Sequence, residues 1–164
     1  MTTPRFGKTT VVKLLGGQLI VRQAGTDMLT MRRELEGIKA RALDLRVPFQ
    51  RFQRVWLAQT AKVFANEGLP RKWPRLSPAY AAWKAQHFPG ATIMRRTDRL
   101  YESLTQAGSG ALIWEATPRT IRYGTKVPYW QYHTKTRPTL VLLPATFAEL
   151  HRLVMAWLNG ARRG

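Results

Sequence analysis

The chain has 164 residues, which is the length of one ordinary domain. Hydrophobic residues make up 45% of it, so wholesale disorder is excluded, and the lack of cysteine excludes disulfides, thiolate metal ligands and a cysteine nucleophile. There are 27 Lys and Arg against 9 Asp and Glu, and the net charge of +18 attracts polyanions. We expect a single domain over residues 1–164, with a short basic tail at 160–164.

The three histidines, His87, His133 and His151, lack the paired spacing of a zinc site. We therefore expect no metal and no other cofactor. Residues 1–13 hold no apolar run long enough for a signal peptide, and no stretch approaches the roughly 20 apolar residues of a membrane span. The sequence thus predicts a soluble protein made in a cytoplasm, without membrane contact.

Two β-rich runs flank Gly16-Gly17 and predict an N-terminal hairpin, because glycine supplies the positive φ angles of a tight turn. Thr26 or Asp27 then caps a helix whose apolar residues recur at steps of three and four. The opposite face is charged, as a solvated or interface face should be. The apolar stripe comprises Met28, Met31, Leu35, Ile38, Ala42 and Leu45.

Pro48 cannot continue a helix interior, so we predict a break near Arg46-Val47 and a second helix over 48–66, with one bent helix as the alternative. This second helix is apolar on more than one side. Such breadth predicts burial on two faces, one against the chain's own sheet and the other a candidate contact with another subunit.

Ser77-Pro78 predicts the start of a short helix over 79–86, and another helix is expected over 97–106. Alternating runs at 111–116 and 120–123 predict a second hairpin. The apolar run at 140–143 is expected to be a third sheet segment, and a closing helix over 145–159 follows it. The expected fold is α+β, with an antiparallel sheet (N-terminal hairpin plus C-terminal strands) packed against long amphipathic helices.

Signals for catalysis are weak. Residues 7–9 copy the end of a phosphate-binding loop but lack the upstream glycine that such a loop needs. Asp98 and Glu102, one helical turn apart, fit a charged surface turn better than an acid–base pair. Ser77 lacks the glycines of a nucleophile elbow, and His133 has no identifiable base partner. We expect that the protein is not an enzyme.

Basic residues are spread along the chain, and no zinc-finger or RRM signature accompanies them. They suit acidic protein partners or contact with DNA without sequence preference. Candidate residues for these contacts are Arg32, Arg33, Arg51, Arg54, Arg95 and Arg96. Aromatic residues of the C-terminal half fit packing in the core or at a subunit interface better than stacking on bases. They are Tyr123, Tyr129, Trp130 and Tyr132.

Four segments share their order and spacing with a set of family motifs. In the first, Trp73 precedes Leu76-Ser77-Pro78, and Lys84 follows. The second runs from Thr97-Asp98-Arg99-Leu100 to Ser103 and is similar to the pattern TG-x-L-x-x-S, with Asp98 in place of the usual glycine.

The third segment, with Gly124-Thr125, Tyr129 and His133, is similar to GT-x-x-x-YA-x-x-H, although Trp130 replaces a small residue and no glycine follows His133. The fourth is Arg137-Pro138 before an apolar run and a final helix. Over 64–158 these segments resemble the phage virion morphogenesis family, the tail-completion proteins of tailed bacteriophages. The matching positions are Trp73, Leu76, Ser77, Thr97, Leu100, Gly124, Tyr129 and His133.

This resemblance implies a structural virion protein of a tailed bacteriophage that acts in tail completion or head–tail joining. Such a protein forms an oligomeric ring around the DNA channel. Its expected partners are copies of itself, other neck, connector or tail-tube proteins, and packaged double-stranded DNA in the lumen. Its expected location is the tail or neck of the virion, with the host cytoplasm during assembly.

We expect the second helix and the loop at 125–137 to form the edges of the ring, because the surface on one edge must complement a different surface on the other. Candidate interface residues are Phe52, Trp56, Phe64, Tyr129, Trp130 and Tyr132. The alternative is a non-sequence-specific nucleic-acid-binding module, which would act alone and lose affinity steeply with salt.

Overall fold

A computed structural model describes residues 11–15, 18–22 and 25–160 of the chain, with side chains from 28 to 160. The fold is α+β, as predicted. The chain divides into two compact units, Met1–Ala40 and Arg41–Gly164. Within the described ranges, no helix is both long and apolar enough to cross a membrane.

The first unit holds the N-terminal hairpin and most of the first helix. Strands β1 (Val11–Leu15) and β2 (Gln18–Arg22) pair in antiparallel fashion, with Leu15 opposite Gln18, which confirms the predicted hairpin. Helix α1 spans Gly25–Leu43. The Gly16-Gly17 turn, the capping side chains of Thr26 and Asp27, and residues 161–164 of the basic tail lie outside the described residues.

The apolar stripe of α1 remains exposed. Met28, Met31, Leu35 and Ile38 keep between 37% and 66% of their surface accessible. On the charged face, Arg32 and Glu36 form an exposed ion pair at 3.0 Å. The helix thus carries exposed apolar residues as well as an exposed ion pair.

The second unit begins within the last turn of α1, at Arg41, and a break then separates α1 from helix α2 (Arg46–Ala65). The break lies at Asp44 and Leu45, two residues earlier than predicted. The N–H of Leu45 donates to the carbonyl of Pro118 at 3.0 Å, and the Asp44 carboxylate accepts from the N–H of Arg46 at 3.0 Å. Pro48 lies in the first turn, where a missing N–H costs no intrahelical bond.

Helix α2 is the centre of this unit and packs against α4, α6 and β3. The elements after it are α3 (Pro78–His87), α4 (Arg99–Thr105), β3 (Leu112–Ala116), β4 (Ile121–Thr125), α5 (Trp130–His133) and α6 (Pro144–Leu158). The buried core consists of Val63, Phe64, Trp73, Leu100, Leu104 and Val127. The predicted burial of α2 on more than one face is thus confirmed, by elements of its own chain.

Strands β3 and β4 form a two-stranded antiparallel sheet in which Trp114 lies opposite Tyr123. The predicted third sheet segment at 140–143 is wrong, because these residues join no strand ladder and lead directly into Pro144 of α6. An apolar run without a neighbouring edge gains no ladder hydrogen bonds. The short helix α5 was not predicted.

Candidate functional site

The second unit contains an open cavity of about 690 Å³ between α3, the loop before α4, and the segment around α5. Its lining gathers residues from all four motif segments, although these are far apart along the chain. Five of the matching positions line it: Leu76, Thr97, Leu100, Tyr129 and His133. Lys84, Asp98 and Arg137 of the same segments line it as well.

Hydrogen bonds join the motif segments in pairs. The indole N–H of Trp73 donates to the carbonyl of Pro138 at 3.0 Å, which ties the first segment to the fourth. Arg137 adds bonds from its guanidinium to the carbonyl of Pro74 at 3.0 and 3.3 Å. The hydroxyl of Thr125 donates to Oγ of Ser103 at 2.8 Å and ties the third segment to the second.

Asp98 lies at the entrance to α4 with a left-handed backbone, φ 53° and ψ −3°. This is a conformation that glycine adopts without steric cost and that aspartate tolerates better than most residues. The positive φ at this position explains why the pattern TG-x-L-x-x-S has a glycine where this chain has Asp98. The Asp98 carboxylate accepts two hydrogen bonds from Arg95, at 2.8 and 2.7 Å, which hold its pKa below the ordinary value.

Lys84 carries a buried charge at the cavity wall. Its residue is only 4% exposed, and its ammonium donates to the carbonyl of Thr92. Burial lowers the pKa of Lys84, because the charged form loses hydration, and the positive charges of Arg96 and Arg137 lower it further. Glu67 and Asp98 act in the opposite direction. Lys84 is one of the residues that carry the resemblance. The other residues of α3 are exposed, so the spacing of apolar residues along this helix could not predict that Lys84 is buried.

The predicted interface residues fall into three groups by exposure. Phe52 and Phe64 are 3% and 0% exposed, since both are covered by the chain's own core, so the prediction that they form a subunit contact is wrong. Trp56 and Trp130 are half-buried, and Tyr129 and Tyr132 are exposed. The breadth of the apolar surface on α2 has an intramolecular cause, and the loop at 125–137 keeps the accessible aromatic surface.

Tyr123 packs between two tryptophans rather than at a surface. Its ring makes edge contacts with the rings of Trp56 and Trp114, with centroids 5.4 Å and 5.7 Å away. Its hydroxyl donates to the carbonyl of Leu104. Burial raises the pKa of Tyr123 to about 12. Trp130 is fixed by a bond from its indole N–H to Oγ1 of Thr139 at 3.0 Å. These contacts favour the prediction that Tyr123 and Trp130 pack within the protein over the alternative that they stack on bases.

The six candidate arginines lie on different elements of the two units. Only Arg95 and Arg96 line the cavity, while Arg32 and Arg33 are exposed on α1 and Arg51 and Arg54 lie on α2. The structure adds Arg99 and Arg137 to the cavity wall. Neither was a candidate contact, because a lone arginine beside a helix start or a proline carries no distinct signal.

Residues considered for catalysis have other partners. Ser77 is the N-cap of α3, where its Oγ accepts from the N–H of Tyr80 at 3.4 Å. The Asp98 carboxylate is bound to Arg95, and Glu102 is exposed. The phosphate-loop fragment at 7–9 lies outside the described residues. Among the residues that are described, no group of three or more His, Asp or Glu is arranged to hold a metal ion.

No protein-family model matches the chain, and the searches of curated proteins and of solved structures likewise find nothing significantly similar.

Proposed function

We propose that the chain is a structural virion protein of a tailed bacteriophage, which acts in tail completion or head–tail joining as a ring around the DNA channel. The observation that carries this proposal is that the four motif segments converge on one cavity and are hydrogen-bonded in pairs. The fold brings together matches that are scattered over nearly 100 residues. Their meeting supports treating them as one set and so supports the resemblance.

The uncovered apolar surface supports assembly into an oligomer. The stripe of α1 is exposed over three helical turns, from Met28 to Ile38. On α6, Phe147 and Met155 are also exposed, and Leu142 lies just before that helix with 51% of its surface accessible. Apolar patches of this kind on a protein surface mark contacts with other proteins.

A ring of identical subunits needs two different surfaces on each copy. The α1 stripe supplies one apolar surface, and the exposed ring of Tyr132 offers another. Aromatic residues are enriched at subunit contacts because they bury a large area with few rotatable bonds. The ring edges therefore include α1 and the loop at 125–137, and α2 contributes its buried side chains to the fold of the subunit.

The test is sedimentation of the purified protein with matched variants on neighbouring positions of α1. Leu35→Gln places an amide on the apolar stripe, and Glu34→Gln places the same side chain on the polar face. Leu35→Gln should weaken self-association by about tenfold or more, since central apolar contacts carry most of the binding free energy. Equal effects of the two changes, or a wild-type protein that sediments as a monomer, would contradict the proposal.

The second candidate is a nucleic-acid-binding module, which the net charge of +18 favours. This candidate predicts a monomer that binds duplex DNA tightly at low salt and loses that affinity steeply at moderate salt. Measuring DNA binding and sedimentation on the same sample separates the two candidates. A stable ring with weak duplex binding favours the virion protein, and a monomer on DNA favours the module.

A further inference from the structure

The cavity at the motif segments carries an excess of positive charge that the chain does not neutralise. Asp98 is the one carboxylate in its lining, and it is bound to Arg95 by two hydrogen bonds. Within the part of the chain that the structure describes, Arg96, Arg99 and Arg137 form no ion pair. Three guanidinium groups thus line one concave surface without an ion-pair partner among the described residues.

Lys84 adds a buried cation to the same wall. An ammonium group has three N–H donors, and that of Lys84 donates to one described acceptor, the carbonyl of Thr92. Glu67 is near enough to act on its charge, but Oε1 of Glu67 accepts from the backbone N–H of Ile93 at 2.9 Å. A buried charge with unused donors is costly unless an acceptor reaches it.

Part of the surface is already fixed in position. Nε and Nη2 of Arg137 donate to backbone carbonyls of Pro74 and Arg75, which holds the guanidinium at the cavity and leaves Nη1 without a described acceptor. The rings of Tyr80 and Tyr129 line the same cavity, and both are more than a third exposed. The cavity therefore combines fixed cations with accessible aromatic surface.

We propose that this cavity binds an acidic peptide segment of a partner protein, whose carboxylates contact Lys84, Arg96 and Arg99 and whose apolar side chains lie against Tyr80 and Tyr129. Arginine pairs with carboxylates through two parallel hydrogen bonds, which gives such a site selectivity for them. The inference goes beyond the proposed ring and does not depend on it, since a single subunit contains the whole cavity.

The shape and the lining favour a peptide over duplex DNA. A concave cavity of about 690 Å³ admits a few side chains, whereas a duplex presents its phosphates on a convex, rod-like surface. Phosphate contacts alone would also leave the aromatic surface without a partner. Residues 1–10, 16–17, 23–24 and 161–164, which lie outside the described part of the chain, contain no Asp or Glu to occupy the cavity. The proposed occupant is an acidic segment of a partner protein.

The experiment measures fluorescence anisotropy of a short labelled peptide that alternates glutamate with leucine, added to the full chain. The control probe is the same peptide with glutamine in place of glutamate. The glutamate peptide should bind, and the glutamine peptide should bind at least about tenfold more weakly. The double variant Arg96→Gln/Arg99→Gln should reduce binding of the glutamate peptide by roughly tenfold or more, because it removes charge-assisted contacts.

The matched control variant is Arg71→Gln/Arg119→Gln, which removes the same charge at two exposed positions that do not line the cavity. It should keep binding within about twofold of the wild type, since exposed, distant charges are screened by salt. Lys84→Met should also weaken binding, and its thermal unfolding shows whether the fold persists. The arginine variants are exposed and keep the test valid if Lys84→Met does not fold.

Three outcomes would overturn the proposal. The first is equal affinity for the two peptides, and the second is an equal loss of peptide affinity in both double variants. The third is an unlabelled DNA duplex that binds more tightly than the glutamate peptide and whose binding is weakened by Arg96→Gln/Arg99→Gln. The last outcome would assign the cavity to nucleic acid. Sedimentation of each variant keeps this test separate from the ring. Lost peptide selectivity with an intact oligomer counts against the cavity alone, and selective binding by a monomer counts against the ring alone.

Discussion

The hydroxyl of Thr125 donates a hydrogen bond of 2.8 Å to Oγ of Ser103, which joins the end of β4 to the buried face of α4. The hydroxyl of Ser103 in turn donates to the carbonyl of Leu100 at 2.8 Å, and Oγ1 of Thr125 accepts from the backbone N–H of Val127 at 3.1 Å. All of these groups lie in or next to the core. This short chain of bonds positions one side of the cavity.

Ser103→Ala should lower the free energy of unfolding by about 1–3 kcal/mol, because the buried hydroxyl of Thr125 loses its acceptor. Thr125→Val should have a similar effect, since it leaves the N–H of Val127 without a partner. The double variant should be less destabilised than the sum of the two, by about 0.5 kcal/mol or more. Denaturant unfolding of the four proteins measures this coupling.

Thr136→Val is the matched control for that cycle, because Thr136 is exposed and its long bond of 3.4 Å is to the carbonyl of His133. Its effect should stay within about 0.5 kcal/mol. Strict additivity of Ser103→Ala and Thr125→Val would contradict the assigned bond.

The backbone of Asp98 predicts a difference between two small replacements. Asp98→Gly and Asp98→Ala both lose the carboxylate that binds Arg95, but only glycine adopts φ 53° without steric cost. Asp98→Ala should therefore be less stable than Asp98→Gly, by about 1 kcal/mol. Urea unfolding of the two variants gives the comparison, and an alanine variant as stable as the glycine variant would show that α4 begins differently.

Tyr123 predicts a loss of stability at alkaline pH. Its pKa is raised from 10.0 to about 12 because burial disfavours the phenolate, so between those values the unfolded chain is ionised and the folded one is not. The contribution of the neutral phenol to the free energy of unfolding is therefore complete below about pH 10 and is lost as the pH rises toward 12. Tyr123→Phe should lose less stability over this window than the wild type.

Thermal unfolding at several pH values checks this dependence. The control Tyr132→Phe removes a phenol from a residue that is 75% exposed, and it should follow the wild-type curve. If Tyr123→Phe also follows that curve, the phenol of Tyr123 is not buried as described.

Local signals in the sequence predicted much of the fold. Ser77-Pro78 begins α3 and Pro144 begins α6, since a capping hydroxyl or a proline acts within one helical turn. The run at 140–143 misled because an apolar run has the same composition whether or not a neighbouring strand edge exists to pair with it.

The candidate site was less predictable for a related reason. Phe52 and Phe64 have the composition of an interface, but which apolar residues the chain itself covers depends on packing that is remote in sequence. The burial of Lys84 is likewise set by residues of the following loop, such as Thr92.

We propose that copies of this chain cover one another's apolar surface in a closed ring. Sedimentation equilibrium of the purified protein at moderate salt tests it most directly, because the mass of the particle gives its copy number. A closed ring predicts one discrete oligomer whose mass does not change with salt. Leu35→Gln should weaken this oligomer, and Glu34→Gln should not. A monomer across the accessible concentrations, with the α1 stripe still open to solvent, would contradict it.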